Sequence, residues 1–111
     1  MPAQPLAIRS ESVSSQARRL APVLKALSDE NRLAILLAIA ERSSSVTELV
    51  ETTGLSQPLV SHHLKALRET GLVSVTAVGR SNVYALCCDT LIEPIALLGE
   101  LANPACAPMK E

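Results

Sequence analysis

Between Ser45 and Gly71 the chain starts and stops a helix twice, with only Gly54, Leu55 and Ser56 in between. Ser45 followed by Glu48 is a capping box, in which hydroxyl and carboxylate each take up one of the unpaired N–H groups at a helix start. Gly54 is a natural stop, because glycine accepts the left-handed backbone that ends many helices. Ser56 caps the next helix, Pro58 is tolerated in its first turn, and Gly71 ends it. Two short helices joined by "GLS" predict a helix-turn-helix. The hydrophobic period then changes. In "LVSVTAVGRSNVYALC", Val73, Val75 and Ala77 alternate with Ser74, Thr76 and Val78, "GRSN" is a turn cluster, and Val83 to Leu86 return as a second strand. A helix-turn-helix followed at once by a hairpin is the winged-helix arrangement.

The flanks supply packing. Residues 1–12 hold Pro, Ser, Gln and mixed charge without a period and read as a flexible tail. Val13, Ala17, Leu20, Ala21, Leu24 and Leu27 fall at helical spacing. Asp29 caps a second helix, and Glu30 suits the positive end of its dipole. Leu33, Leu36, Leu37 and Ala40 make its wide stripe, and the run is so apolar that this helix is expected at the centre. Leu91, Ile95, Leu98 and Leu101 form a last helical stripe, with Asp89 or Thr90 as the cap and Pro94 delaying the regular start. The expectation is one domain over 13–103 and a tail over 104–111. It is mainly α with a two-stranded β-hairpin wing, a winged helix-turn-helix that dimerises through its first and last helices.

Composition agrees. A chain of 111 residues makes one small domain. Hydrophobic residues are 48% of the total, but the only aromatic is one tyrosine, so Leu, Val, Ile and Ala must build the core. Burial missing from so small a core is often gained by dimerising. No apolar run reaches membrane-spanning length, and the N-terminus lacks the pattern of a signal peptide. A cytoplasmic protein with reduced thiols is therefore expected, and an odd count of three cysteines argues against a disulfide framework. There is no glycine-rich phosphate loop and no catalytic spacing of Ser, His and Asp, so no enzyme is expected. The net charge of −1 says little about nucleic acid, but its distribution says more. Lys65, Arg68 and Arg80 face only Glu69 in the middle, whereas Asp89, Glu93, Glu100 and Glu111 outweigh Lys110 after Leu86.

On a 100° wheel, Val60, Leu64 and Leu67 of the second short helix share a narrow sector that must face the core. Pro58, Ser61, His62, Lys65 and Glu69 fall opposite. Ser56, Gln57 and Pro58 lie at the N-terminal tip, where recognition helices meet base edges. Ser61, His62 and Lys65 follow on the exposed face, and Arg80 at the hairpin tip can meet phosphate or a minor groove. A plain solvated helix face is the alternative, and its context between a short helix and a hairpin weighs against it. His63 falls on the flank of the core sector and is read as structural, hydrogen-bonded at the core's edge. The adjacent histidines diverge by about 100° and make no metal pair.

Together "LKALSDENRLAILLAI", "TGLSQPLVSHHLKALRETGLV" and "GRSNVYAL" resemble the ArsR/SmtB family of dimeric winged-helix, metal-responsive repressors, over roughly Leu24 to Ala102. The resemblance implies a homodimer paired through the first and last helices, double-stranded operator DNA as partner, and release when a ligand binds. Many members carry a Cys-x-Cys metal box in the third helix; here Ser45 and Thr47 stand at those positions. The Asp/His zinc set of the last helix is also missing, since no histidine follows His63. Cys87, Cys88 and Cys106 remain as ligands. Thiolates select thiophilic ions, and a vicinal pair suits trivalent arsenic, methylarsenite or Sb(III). The resemblance extends to members that use adjacent cysteines near the last helix for arsenite. Cys106 is expected from the partner subunit, across a two-fold axis, or from a tail folded back in its own chain. A thiol redox-sensing repressor of the same fold and a ligand-independent interaction module are the competing expectations.

Overall fold

Side-chain caps set the helix starts. In the computed structural model, which describes residues 11–102, the order is α1 (Val13–Leu27), α2 (Glu30–Glu41), β1 (Ser44–Ser45), α3 (Val46–Thr53), α4 (Gln57–Glu69), β2 (Val73–Val78), β3 (Ser81–Leu86) and α5 (Cys88–Leu101). Ser12, Asp29, Ser45 and Ser56 each accept a backbone N–H from the first turn of the helix they precede. Both halves of the Ser45–Glu48 box are formed, and Gly54 closes α3 at φ 77°. The first helix is anchored earlier than expected. Ser12 is its cap, and the Glu11 carboxylate accepts from the Arg19 guanidinium at 2.7 Å.

Ile35, Leu49, Val60, Leu64, Leu67 and Leu72 are the fully buried side chains at the centre. The α4 sector expected to face inward, Val60, Leu64 and Leu67, does so. The stripe expected on α2 is corrected. Ile35, Leu36 and Ile39 are buried, while Leu33, Leu37 and Ala40 are exposed. A helix that is apolar on most sides carries no moment to identify its inner face, and the packing of α3, α4 and β3 chooses it.

The hairpin is present, with β3 beginning at Ser81 rather than Val83. Register runs from Val73 opposite Leu86 to Val78 opposite Ser81 around a turn at Gly79 and Arg80. Val73 is buried, Val75 half-buried and Ala77 exposed, so the hairpin leaves the core as it approaches its tip. A third strand, unforeseen, extends the sheet. β1 pairs antiparallel with β3, Ser44 opposite Tyr84 and Ser45 opposite Val83, in the order β1-β3-β2.

The last helix starts earlier than expected. Cys87 is its N-cap residue and offers no side-chain capping bond; Asp89 and Thr90 lie inside the first turn. Pro94 does not delay the helix but sits buried within it, in the wall of an apolar groove between α5 and α1. Arg19 of α1 also reaches Glu93 of α5, with Nη2 donating to Oε2 at 2.9 Å. It holds both Glu11 and Glu93 below their usual carboxyl range. No described helix is long and apolar enough to cross a membrane.

Candidate DNA-reading face and thiol junction

The fold turns one side of α4 outward without obstruction. Gln57, Pro58, Ser61, His62 and Lys65 are all exposed, as is Arg80 at the turn of the hairpin. Ser56 is exposed too, although its hydroxyl oxygen already accepts the Leu59 N–H at 3.3 Å as the cap. Wheel reasoning passed over Arg68. It lies two turns beyond Ser61 and three residues beyond Lys65, which puts it on the same face, and it is exposed. The surface thus offers amide and hydroxyl groups at the tip of the helix, cations behind them and a further cation on the wing. This is the distribution that base edges and phosphates call for.

His62 and His63 diverge as expected, but His63 is corrected in one respect. It is 6% exposed and neither ring nitrogen has a hydrogen-bond partner among the described residues. Burial pushes its pKa below the ordinary value, opposed by the nearby Asp29 carboxylate and aided by Arg32 and His62. Arg32 itself is engaged elsewhere, Nε donating to the Ala26 carbonyl at 3.0 Å.

At the other end of the hairpin, Cys87 follows β3 directly. Its thiol is free and half-buried, and its N–H donates to the Leu72 carbonyl at 2.9 Å. Cys88 is the first residue of α5. Cys106 lies outside the described residues. No group of three or more His, Cys, Asp or Glu side chains that could hold a metal ion is assembled among the described residues. Thr47 lies in the first turn of α3, and Ser45 precedes the helix as its cap.

A model of the bacterial regulatory proteins of the arsR family matches residues 29–75, the stretch from the α2 cap into β2. An ArsR-like transcriptional regulator from Rhodococcus sp. RHA1 superposes with a TM-score of 0.75 and 30% identity, over 82% of this chain and 84% of that one. The chain belongs to the ArsR family. Among its ArsR-family relatives, the regulator NmtR of Mycobacterium tuberculosis is 42% identical over 66% of this chain and 61% of its own length. An arsenical resistance operon repressor of Staphylococcus xylosus is 36% identical over 62% of this chain and 66% of its own. A homodimeric winged helix-turn-helix DNA-binding domain from Mycobacterium bovis, described as a possible ArsR-family regulator, has a TM-score of 0.66 and 28% identity over 83% of this chain and 87% of that one. These relatives are transcriptional regulators rather than enzymes. The family-model match covers all of α4 and ends before both Arg80 and Cys87.

Proposed function

We propose that this protein is a cytoplasmic, homodimeric repressor that leaves its operator when a thiophilic ion, trivalent arsenic first among them, is held by Cys87, Cys88 and Cys106. The observation that carries the reading is the free Cys87 thiol at the joint between wing and last helix, in a chain of a repressor family that includes an arsenical resistance repressor. A thiolate pair adjacent in sequence is a short chelate for a trivalent ion and a poor site for oxygen-seeking ones.

Dimerisation is supported by apolar surface. Ile92, Ile95, Leu98 and Leu101 of α5 and Val13 of α1 are exposed large hydrophobics, and Val13, Leu98 and Leu101 border the groove between the two helices. Leu91 is half-buried against the core of its own chain, so its neighbour Ile92 takes the more outward place. Contiguous exposed apolar surface of this kind marks an interface. α5 spans about 20 Å, a distance that the five residues from Leu101 to Cys106 cover in the same chain only when the tail folds back fully extended. In a two-fold pair with antiparallel last helices, Cys106 of one protomer approaches Cys87 and Cys88 of the other.

The test is a release titration on a duplex selected by this protein from a random library. Arsenite, methylarsenite, antimonite, cadmium and lead are added under reducing conditions, with peroxide in a separate arm. Arsenite is expected to release the wild type. Cys87→Ser and Cys88→Ser should bind the duplex but stay bound in arsenite, and Cys106→Ser should respond to methylarsenite more fully than to arsenite. Release of the Cys87/Cys88 double serine variant at wild-type arsenite concentrations would refute the site. Release by peroxide alone would make the thiols a redox sensor instead.

A further inference from the structure

The corner that follows the recognition helix is fastened, at both of its carbonyls, to the segment that carries the cysteine pair. The Gly71 N–H donates to the Arg68 carbonyl at 3.0 Å and the Leu72 N–H to the Leu67 carbonyl at 2.9 Å, which closes α4. The carbonyls of the same two residues face the other way. Leu72 accepts from the Cys87 N–H at 2.9 Å, and Gly71 accepts from the Thr90 hydroxyl at 2.6 Å. Cys87 and Thr90 bracket the start of α5. Since Cys87 supplies no side-chain cap, these two cross-links are what position the helix's first turn.

The contact is built closely. Gly71 adopts φ +81°, which favours glycine, and a Cβ there would stand 3.3 Å from Thr90 Oγ1. Glycine is therefore needed twice, for the turn and for the approach of the hydroxyl. The anchor on the other side is firm, because Leu72 is fully buried.

From this geometry we infer that Thr90 is a positioning residue, whose hydrogen bond to Gly71 makes the orientation of α4 depend on the state of the cysteine pair. The inference rests on reading Cys87 and Cys88 as the sensor. The backbone is extended at Cys87, φ −101° and ψ 92°, and helical immediately after. A ligand that draws both sulfurs to itself must alter that step. Thr90 lies within the same turn and moves with it, and a displacement of about 1 Å takes its hydroxyl out of hydrogen-bond reach of the Gly71 carbonyl. With Leu72 held by the core, the corner turns about Leu72 and α4 tilts. A helix about 20 Å long carries a tilt at its last turn to Gln57 and Ser61 at its first, where base edges would be read.

The test uses the full chain carrying Cys106→Ser and the duplex selected as above. Thr90→Val removes the hydroxyl and keeps the shape; Thr90→Ala is a second route to the same loss, and Thr90→Ser restores the donor. Duplex affinity is measured with and without methylarsenite, which needs only the two sulfurs that remain, and, separately, with and without methyl methanethiosulfonate, which caps the Cys87 and Cys88 thiols reversibly. Methylarsenite uptake is followed by thiolate–arsenic absorbance and folding by thermal unfolding. In the parent chain, ligand or cap should weaken duplex binding about tenfold or more, within the usual range of allosteric coupling. Thr90→Val and Thr90→Ala should take up methylarsenite as the parent does and lose less than twofold in duplex affinity, with coupling returned by Thr90→Ser. A merely structural threonine would change unfolding temperature and leave the coupling ratio intact, and that result overturns the inference. If methylarsenite fails on the parent but the thiol cap works on it and fails on Thr90→Val, the metalloid reading falls and the Thr90 link stands. If neither agent weakens the parent's binding, both fall.

Discussion

His63 lies on the inner face of α4 with both ring nitrogens lacking a partner among the described residues. An imidazolium there would be poorly solvated, which is why burial, against the pull of Asp29, sets its pKa below the ordinary value. The sign of the linkage follows. Above the unfolded value of about 6.5 both states hold the ring neutral; as pH falls below it, the unfolded chain takes up a proton that the folded chain refuses, so stability drops until the folded pKa is passed. The urea midpoint should therefore fall between neutral pH and pH 5, and His63→Leu should flatten that dependence. Asp29, held low mainly by the Arg32 backbone N–H, acts only under more acid conditions. At this scale the sequence separated the two histidines correctly, because 100° per residue is enough to tell an outward side chain from an inward one. It could not show that His63 lacks a partner among the described residues, since any partner would come from elements distant along the chain.

Elements were legible where their ends carry chemistry. Four helix starts have a Ser or Asp cap; the sequence marks Asp29, Ser45 and Ser56 as caps, while Ser12 falls in a stretch that reads as a tail. Ser45→Ala should remove the hydroxyl half of the α3 box, the acceptor of the Glu48 N–H, and cost about 1 kcal/mol, measured by equilibrium unfolding, while the backbone N–H of residue 45 still donates to the Glu48 carboxylate and keeps it below its ordinary range. α5 was misplaced because its cap residue is a cysteine without capping chemistry, while the Thr90 hydroxyl that looked like a cap is used on Gly71. β1 was missed because two serines make no period, and only the arrival of β3 turns them into a strand. α2 was found, but its inner face was not, for want of polar residues to mark the outer one.

For the whole molecule, surface decides. The exposed stripe of α5 and the groove it shares with α1 predict that Leu98→Glu with Leu101→Glu yields a folded monomer by sedimentation, with duplex affinity falling together with dimerisation. Lys65→Ala and Arg80→Ala should each remove one phosphate contact per protomer. In a dimer the slope of log affinity against log salt should then become shallower by about 1.8 per substitution. Gln57→Ala and Ser61→Ala should instead alter which duplexes are preferred and leave that slope unchanged. The two-residue strand β1 bears on the same question. It runs without a gap into α3 on one side and is stitched to β3 on the other, opposite Val83 and Tyr84. Helix-turn-helix and wing are thereby clamped into one rigid calliper, whose jaws are the tip of α4 and the turn at Arg80. A calliper has one opening. Within a half-site, the distance from the bases under Gln57 to the backbone under Arg80 cannot stretch to suit the DNA, and one inserted base pair there should abolish binding that an altered centre between half-sites would only weaken.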